Sequence, residues 1–102
     1  MLARLWHGWT SPENADAYER LLRAEVLPGI KSRIGGFRGV YLLRNEAGEE
    51  VEFVTVTLWE SLEAVREFAG DDHEAAVVPR DAQRVLSRFD ERVVHYEVLI
   101  EP

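Results

Sequence analysis

The order of strand and helix patterns along the chain constrains its fold more than any other feature. Near the middle, two segments that alternate like strands flank a polar loop, Asn45–Glu49, which contains the glycine that a hairpin favours. Apolar residues at helical spacing lie on both sides of this hairpin, and a short strand pattern lies near each end. The predicted strands are 2–9, 37–44, 51–59 and 93–100, and the predicted helical segments are 15–30, 62–69, 71–78 and 81–89.

This order predicts one α+β domain across residues 1–102, because a chain of 102 residues holds a single core. Right-handed crossovers between the strands would produce a four-stranded antiparallel sheet with helices on one face. That is the ferredoxin-like βαββαβ arrangement.

Capping serines, prolines and glycines predict where the helices begin and end. Ser11 and Ser61 are suited to cap helix N-termini, and Pro12 suits the first position of a helix. Pro28-Gly29 is expected to kink or end the first helix, and Gly70 to close the second.

Alternation along the strands predicts an aromatic face that the helices leave open. Such a face exposes more apolar surface than a monomer usually shows, so we expect a second copy of the chain to cover it. The alternative is a ligand site on the same face. In the last strand, Tyr96 alternates with the inward residues Val94, Val98 and Ile100, which places His95 on the open face. The residues assigned to the open face are Trp6, Phe37, Tyr41, Leu43, Phe53, Thr55, Thr57 and Trp59.

Composition excludes several classes of function. Nineteen acidic residues against twelve basic ones, with Lys31 the only lysine, argue against nucleic acid and anionic membranes as partners. There is no cysteine, no apolar run long enough to span a bilayer and no signal-peptide pattern, so a cytoplasmic location is expected. Neither a phosphate-binding loop nor the converging ligands of a metal site are present.

The segment Thr55–Ala64, TVTLWESLEA, resembles the strand-to-helix signature of the antibiotic biosynthesis monooxygenase family. Ile34–Gly39 and His95–Val98 are similar to other parts of the same family. This resemblance implies a dimeric α+β barrel. It also implies one of two chemistries, cofactor-independent oxidation of aromatic compounds to quinones or degradation of haem. Trp59 matches a tryptophan that holds the aromatic substrate in quinone-forming members, and Phe68 replaces a tryptophan of the haem-degrading members.

The candidate site residues follow from the cleft between sheet and helices, where ligands bind in this family. His7 is the candidate acid or base, provided that Ala3, Leu5, His7 and Trp9 face the helices; the competing register turns Leu2, Arg4, Trp6 and Gly8 inward. The candidate substrate-binding residues are Tyr18, Trp59, Phe68 and His73.

The sequence thus predicts a cofactor-independent monooxygenase acting on a small phenol or hydroquinone, with no metal. The alternative is a non-catalytic homodimeric module that binds a small molecule or haem. For each of the residues above, a purely structural role is the competing interpretation.

Overall fold

The computed structural model describes residues 1–102 and has strands and helices in the predicted order. A π turn, Leu22–Val26, joins the first two helices into one continuous helical segment. The elements are β1 (Leu2–Thr10), α1 (Pro12–Leu21), α2 (Leu27–Arg33), β2 (Phe37–Ala47), β3 (Glu50–Trp59), α3 (Leu62–Ala69), α4 (Arg80–Val85), β4 (Arg88–Phe89) and β5 (Val94–Glu97).

The predicted ferredoxin-like α+β fold is confirmed. All pairings are antiparallel, and β3 lies between β2 and β1. The outer edge of β1 pairs with β5 along Leu2–Leu5 and with β4 at Gly8 and Trp9. The sheet therefore has five strands instead of four, because the chain leaves this edge at Arg92 to form a bridge with Ala75.

Most of the aromatic residues of the strands lie on the helix-covered face of the sheet, opposite to the predicted face. Phe53 and Trp59 are fully buried beneath the helices. A β-bulge between Phe37 and Gly39 shifts the register, which brings Phe37 to the same side. Both faces of β3 are apolar, and burying the aromatic set removes the larger area from water. The residues wrongly assigned to the open face are Trp6, Phe37, Phe53, Thr55, Thr57 and Trp59.

The side chains of the last strand also face the opposite way from the prediction. His95 lies opposite Arg4 and therefore faces the helices, which contradicts its assignment to the open face. Val94 and Tyr96 were predicted to point inward but are about half exposed on the open face. Tyr41 and Leu43 lie on the open face as predicted, and each is also about half exposed.

The helix ends match the sequence in part. The Ser61 hydroxyl accepts a hydrogen bond from the amide of Ala64, and Gly70 ends α3 with φ of 86°, as predicted. The first helix does not end at Pro28 but continues to Arg33. The π turn lies directly before this proline, where the Leu27 amide bonds to the Leu22 carbonyl, five residues back.

The helical turn predicted over 71–78 is limited to one hydrogen-bonded turn, in which the Ala75 amide donates to the Asp72 carbonyl, and the last helix is shorter than predicted. Backbone hydrogen bonds of Glu74 and Ala76 to residues 93 and 91 then hold the chain beside the sheet. The helix predicted over 81–89 ends at Val85 because the backbone of Ser87 bonds to the Trp9 carbonyl and begins the pairing of β4. None of the helices combines the length and hydropathy needed to cross a bilayer.

Candidate functional site

A cavity of about 380 Å³ lies between the sheet and the helical layer. The buried core forms two groups of side chains, one that includes Tyr18 and Phe53 and another that includes Trp59 and Val65. Residues of both groups border the cavity. Twelve of its 20 lining residues are hydrophobic, and its volume is within the usual range for small-molecule sites.

Aromatic side chains form three of the cavity walls. Trp6 projects from β1, Tyr18 from α1 and Phe68 from α3. The indole nitrogen of Trp6 donates to the Asp90 carbonyl at 2.9 Å, which fixes the orientation of its ring. These walls offer flat apolar surface, which suits an aromatic ligand.

Arg4 supplies the positive charge in the interior of the cavity wall. It is 4% exposed, and burial lowers the pKa of its guanidinium to about 10, which still leaves it charged at neutral pH. Its Nη atoms donate to the carbonyls of His73 and Ala75, and no carboxylate contacts it. The guanidinium carbon lies 5.5 Å from the centre of the Phe68 ring, within range of a cation–π interaction.

His95 contacts Arg4 across the other edge of β1, where β1 pairs with β5 instead of β3. Nη1 of Arg4 lies 3.1 Å from Nε2 of His95. Since arginine can only donate, this Nε2 is an acceptor and the imidazole is neutral, with its proton on Nδ1. Burial, followed by the positive charge of Arg4, lowers the pKa of His95.

The structure places two of the five predicted site residues at the cavity. Tyr18 and Phe68 line it, whereas Trp59 is fully buried behind Phe68, with the two rings stacked at 5.2 Å. His73 is outside the lining; it offers its carbonyl to Arg4, and its ring lies 5.5 Å from that of His95.

His7 lies on the opposite face of the sheet from the cavity. Of the two registers that the sequence left open for β1, the structure has the one that turns Arg4 and Trp6 inward. The Nδ1 atom of His7 is 3.3 Å from a carboxylate oxygen of Asp90, and its ring is 6.0 Å from that of Trp9. From this position His7 cannot exchange a proton with a molecule in the cavity.

Comparison with known proteins identifies the family. The family model for antibiotic biosynthesis monooxygenases matches residues 8–80, more than half of the chain. The chain belongs to this family. No curated protein sequence matches it.

Solved structures with the same fold include proteins with different chemistry. The haem-degrading enzyme MhuD of Mycobacterium tuberculosis, solved with two haems in its active site, is 25% identical, with a TM-score of 0.60 and 100% of this chain and 99% of that chain covered. SnoaB, a cofactor-independent oxygenase from Streptomyces nogalater, is 16% identical, with a TM-score of 0.62 and coverage of 98% and 95%. A monooxygenase of Streptomyces coelicolor in complex with nanaomycin D is 18% identical, with a TM-score of 0.61 and coverage of 99% and 91%.

The lining of the cavity does not fit haem. It contains no histidine, cysteine or methionine that could ligate the iron. Burial raises the pKa of Tyr18, which disfavours the phenolate that an iron ligand requires. No group of three or more His, Cys, Asp or Glu side chains is arranged to hold a metal ion.

Arg4 and Trp6 are the site residues that sequence reasoning missed. Both belong to the inward set of β1 in the second of the two registers that the sequence allows. The signal was present, because a lone arginine alternating with Leu2, Trp6 and Gly8 is unusual on a strand that helices cover.

Proposed function

We propose that the chain is a cofactor-independent monooxygenase that oxidises a small electron-rich phenol in this cavity. The observation that carries the proposal is the cavity itself, which is mostly apolar, has aromatic walls and is lined by no histidine, cysteine or methionine. Membership of a family that includes monooxygenases supports the same reaction class. A phenolate held in such an enclosure can transfer an electron directly to O₂.

The reaction balances without an external reductant. A phenol with a hydrogen at the para carbon loses its hydroxyl proton, and the phenolate passes one electron to O₂. The resulting radicals combine at the para carbon to form a C–O bond. Loss of the para hydrogen as a proton, together with cleavage of the O–O bond, releases water and leaves a para-quinone. The phenol supplies all four electrons; one oxygen atom enters the product and the other becomes water.

Oxygen uptake with 1-naphthol provides the test. We expect one O₂ consumed for each 1,4-naphthoquinone formed without added metal or flavin, and one ¹⁸O atom in the quinone when ¹⁸O₂ is used. Val78→Trp, which fills the cavity, should abolish uptake. Leu99→Trp, at an exposed position outside the cavity, is the matched control and should retain it. No uptake by the unmodified protein with 1-naphthol and a series of hydroxylated naphthalenes would refute the proposal.

We further propose that the open face of the sheet is covered by a second copy of the chain. Tyr41, Leu43, Val94 and Tyr96 are each about half exposed there, and an apolar area of this kind is typical of an interface. Leu43→Asp should convert a dimer into a monomer in sedimentation experiments, whereas Leu99→Asp should not. A monomeric unmodified protein at micromolar concentration would contradict this proposal.

A further inference from the structure

Arg4 is the only arginine of the chain that is buried, and it has no acidic partner. Six surface arginines, including Arg44, Arg88 and Arg92, form ion pairs with carboxylates. Arg4 is the buried one, and it contacts only uncharged groups. An isolated charge in an apolar interior is unfavourable unless an opposite charge joins it. Here the space beside the charge is a cavity that can admit one.

The guanidinium also retains hydrogen-bonding capacity. Three of its five N–H groups are used, by the carbonyls of His73 and Ala75 and by His95 Nε2. The Nε–H group and one N–H of Nη2 have no partner in the protein. The Nε–H group is not sealed off, because Thr10 Oγ1 is the one side-chain polar atom of the chain that is both buried and without any partner. The Tyr18 hydroxyl on the cavity wall also has no partner and is likewise accessible.

We propose that Arg4 binds a negatively charged oxygen of the ligand, so that the cavity selects aromatic anions, carboxylates or phenolates, over neutral aromatic molecules of the same shape. The assignment rests on the cavity being the ligand site, as in the proposed function. The ligand ring would lie against the apolar walls beside Phe68 while its anionic oxygen meets the free N–H groups. The acidic lining residues, Glu25 and Asp81, are exposed, so they leave the charge of Arg4 available.

His95 acts here as a positioning residue. Its neutral Nε2 accepts from Nη1, and the two backbone carbonyls hold the same guanidinium from the segment 73–75. Together these contacts use Nη1 and one side of Nη2, which leaves the remaining N–H groups for the ligand. A planar donor held in this way can bind a carboxylate at low entropic cost.

Binding of two isosteric ligands tests the selection for anions without any turnover. 2-Naphthoate and 2-naphthamide differ mainly in charge, and neither has the hydroxyl group that the proposed oxidation needs. Calorimetric titration of the unmodified protein should show 2-naphthoate binding about 10- to 100-fold more tightly, the range expected for hydrogen bonds to a charged group. Equal affinities, or tighter binding of the amide, would overturn the proposal, and this comparison needs no variant.

Substitution of Arg4 identifies the residue responsible. Arg4→Gln should remove the preference while leaving 2-naphthamide affinity within about threefold, which also shows that the cavity is intact. Arg66→Gln, at an exposed arginine outside the cavity lining, is the control and should keep the preference. A preference that survives in Arg4→Gln would assign the selection to another group. If the preference is found but 1-naphthol is not oxidised, the monooxygenase proposal fails and the anion site stands. If 1-naphthol is oxidised but no preference is found, the anion site fails and the monooxygenase proposal stands.

Discussion

The turn between α2 and β2 leaves no room for a side chain at Gly36. A Cβ atom there would overlap the Cβ of Ala64 on α3. The Gly36 carbonyl accepts a 2.8 Å hydrogen bond from the amide of Glu60, so the turn cannot move away without weakening that bond. The neighbouring Gly35 faces open space, and neither glycine has a positive φ, so alanine is conformationally acceptable at both. Gly35→Ala is therefore a matched control for Gly36→Ala.

The expected cost of Gly36→Ala follows from overpacking of a close contact. Inserting a methylene-sized group into a filled interior destabilises proteins by about 1–3 kcal/mol. Near the middle of that range, the melting temperature of a domain of this size falls by roughly 8–16 °C. Gly35→Ala should change the free energy of unfolding by less than about 0.5 kcal/mol.

A double-mutant cycle shows whether the contact with α3 is the cause. Ala64→Gly removes the opposing methyl group and costs about 1 kcal/mol in helix propensity. If the two methyl groups compete for one space, Gly36→Ala combined with Ala64→Gly should be about 1–2 kcal/mol more stable than the sum of the single effects. Urea denaturation followed by circular dichroism measures all four proteins. Additive effects, or an equal loss in Gly35→Ala, would refute the reasoning.

Two further predictions concern groups around the cavity. Thr57→Val should destabilise the fold by about 1–3 kcal/mol, because the buried indole of Trp59 loses the hydroxyl to which its nitrogen donates at 2.8 Å, whereas Thr57→Ser should retain most of that stability in the same denaturation assay. The pKa of His95 is lower in the folded chain, so as the pH falls the unfolded chain takes up a proton on this residue first. The free energy of unfolding should therefore decrease below about pH 6.5 and level off once the folded form is protonated as well. His95→Gln should remove this decrease in the range above the titration of the carboxylates, and an unchanged pH dependence would contradict the assigned cause.

The order of the elements, and with it the fold, could be predicted because it depends on patterns that extend over many residues. The motif Thr55–Ala64 likewise placed the chain in its family. The faces of the strands could not be predicted in the same way. In β3 both alternating sets of residues are apolar, so the sequence does not indicate which set faces the helices. In β2 the bulge after Phe37 reverses the parity at a point where the sequence shows only Arg38-Gly39.

The candidate chemistry depended on that single step of parity in β1. With His7 inward, the cavity would contain a titratable imidazole near its sheet wall, suited to proton transfer. With Arg4 inward, it contains a permanent positive charge, which cannot act as a base at neutral pH and on which the proposed anion site rests. The contacts that make this arrangement possible come from residues 73, 75 and 95, which only the bridge between Ala75 and Arg92 and the register of β5 bring beside the first strand. Because neither pairing leaves a periodic signal, the sequence alone predicts a histidine at the cavity, whereas the folded chain has an arginine there.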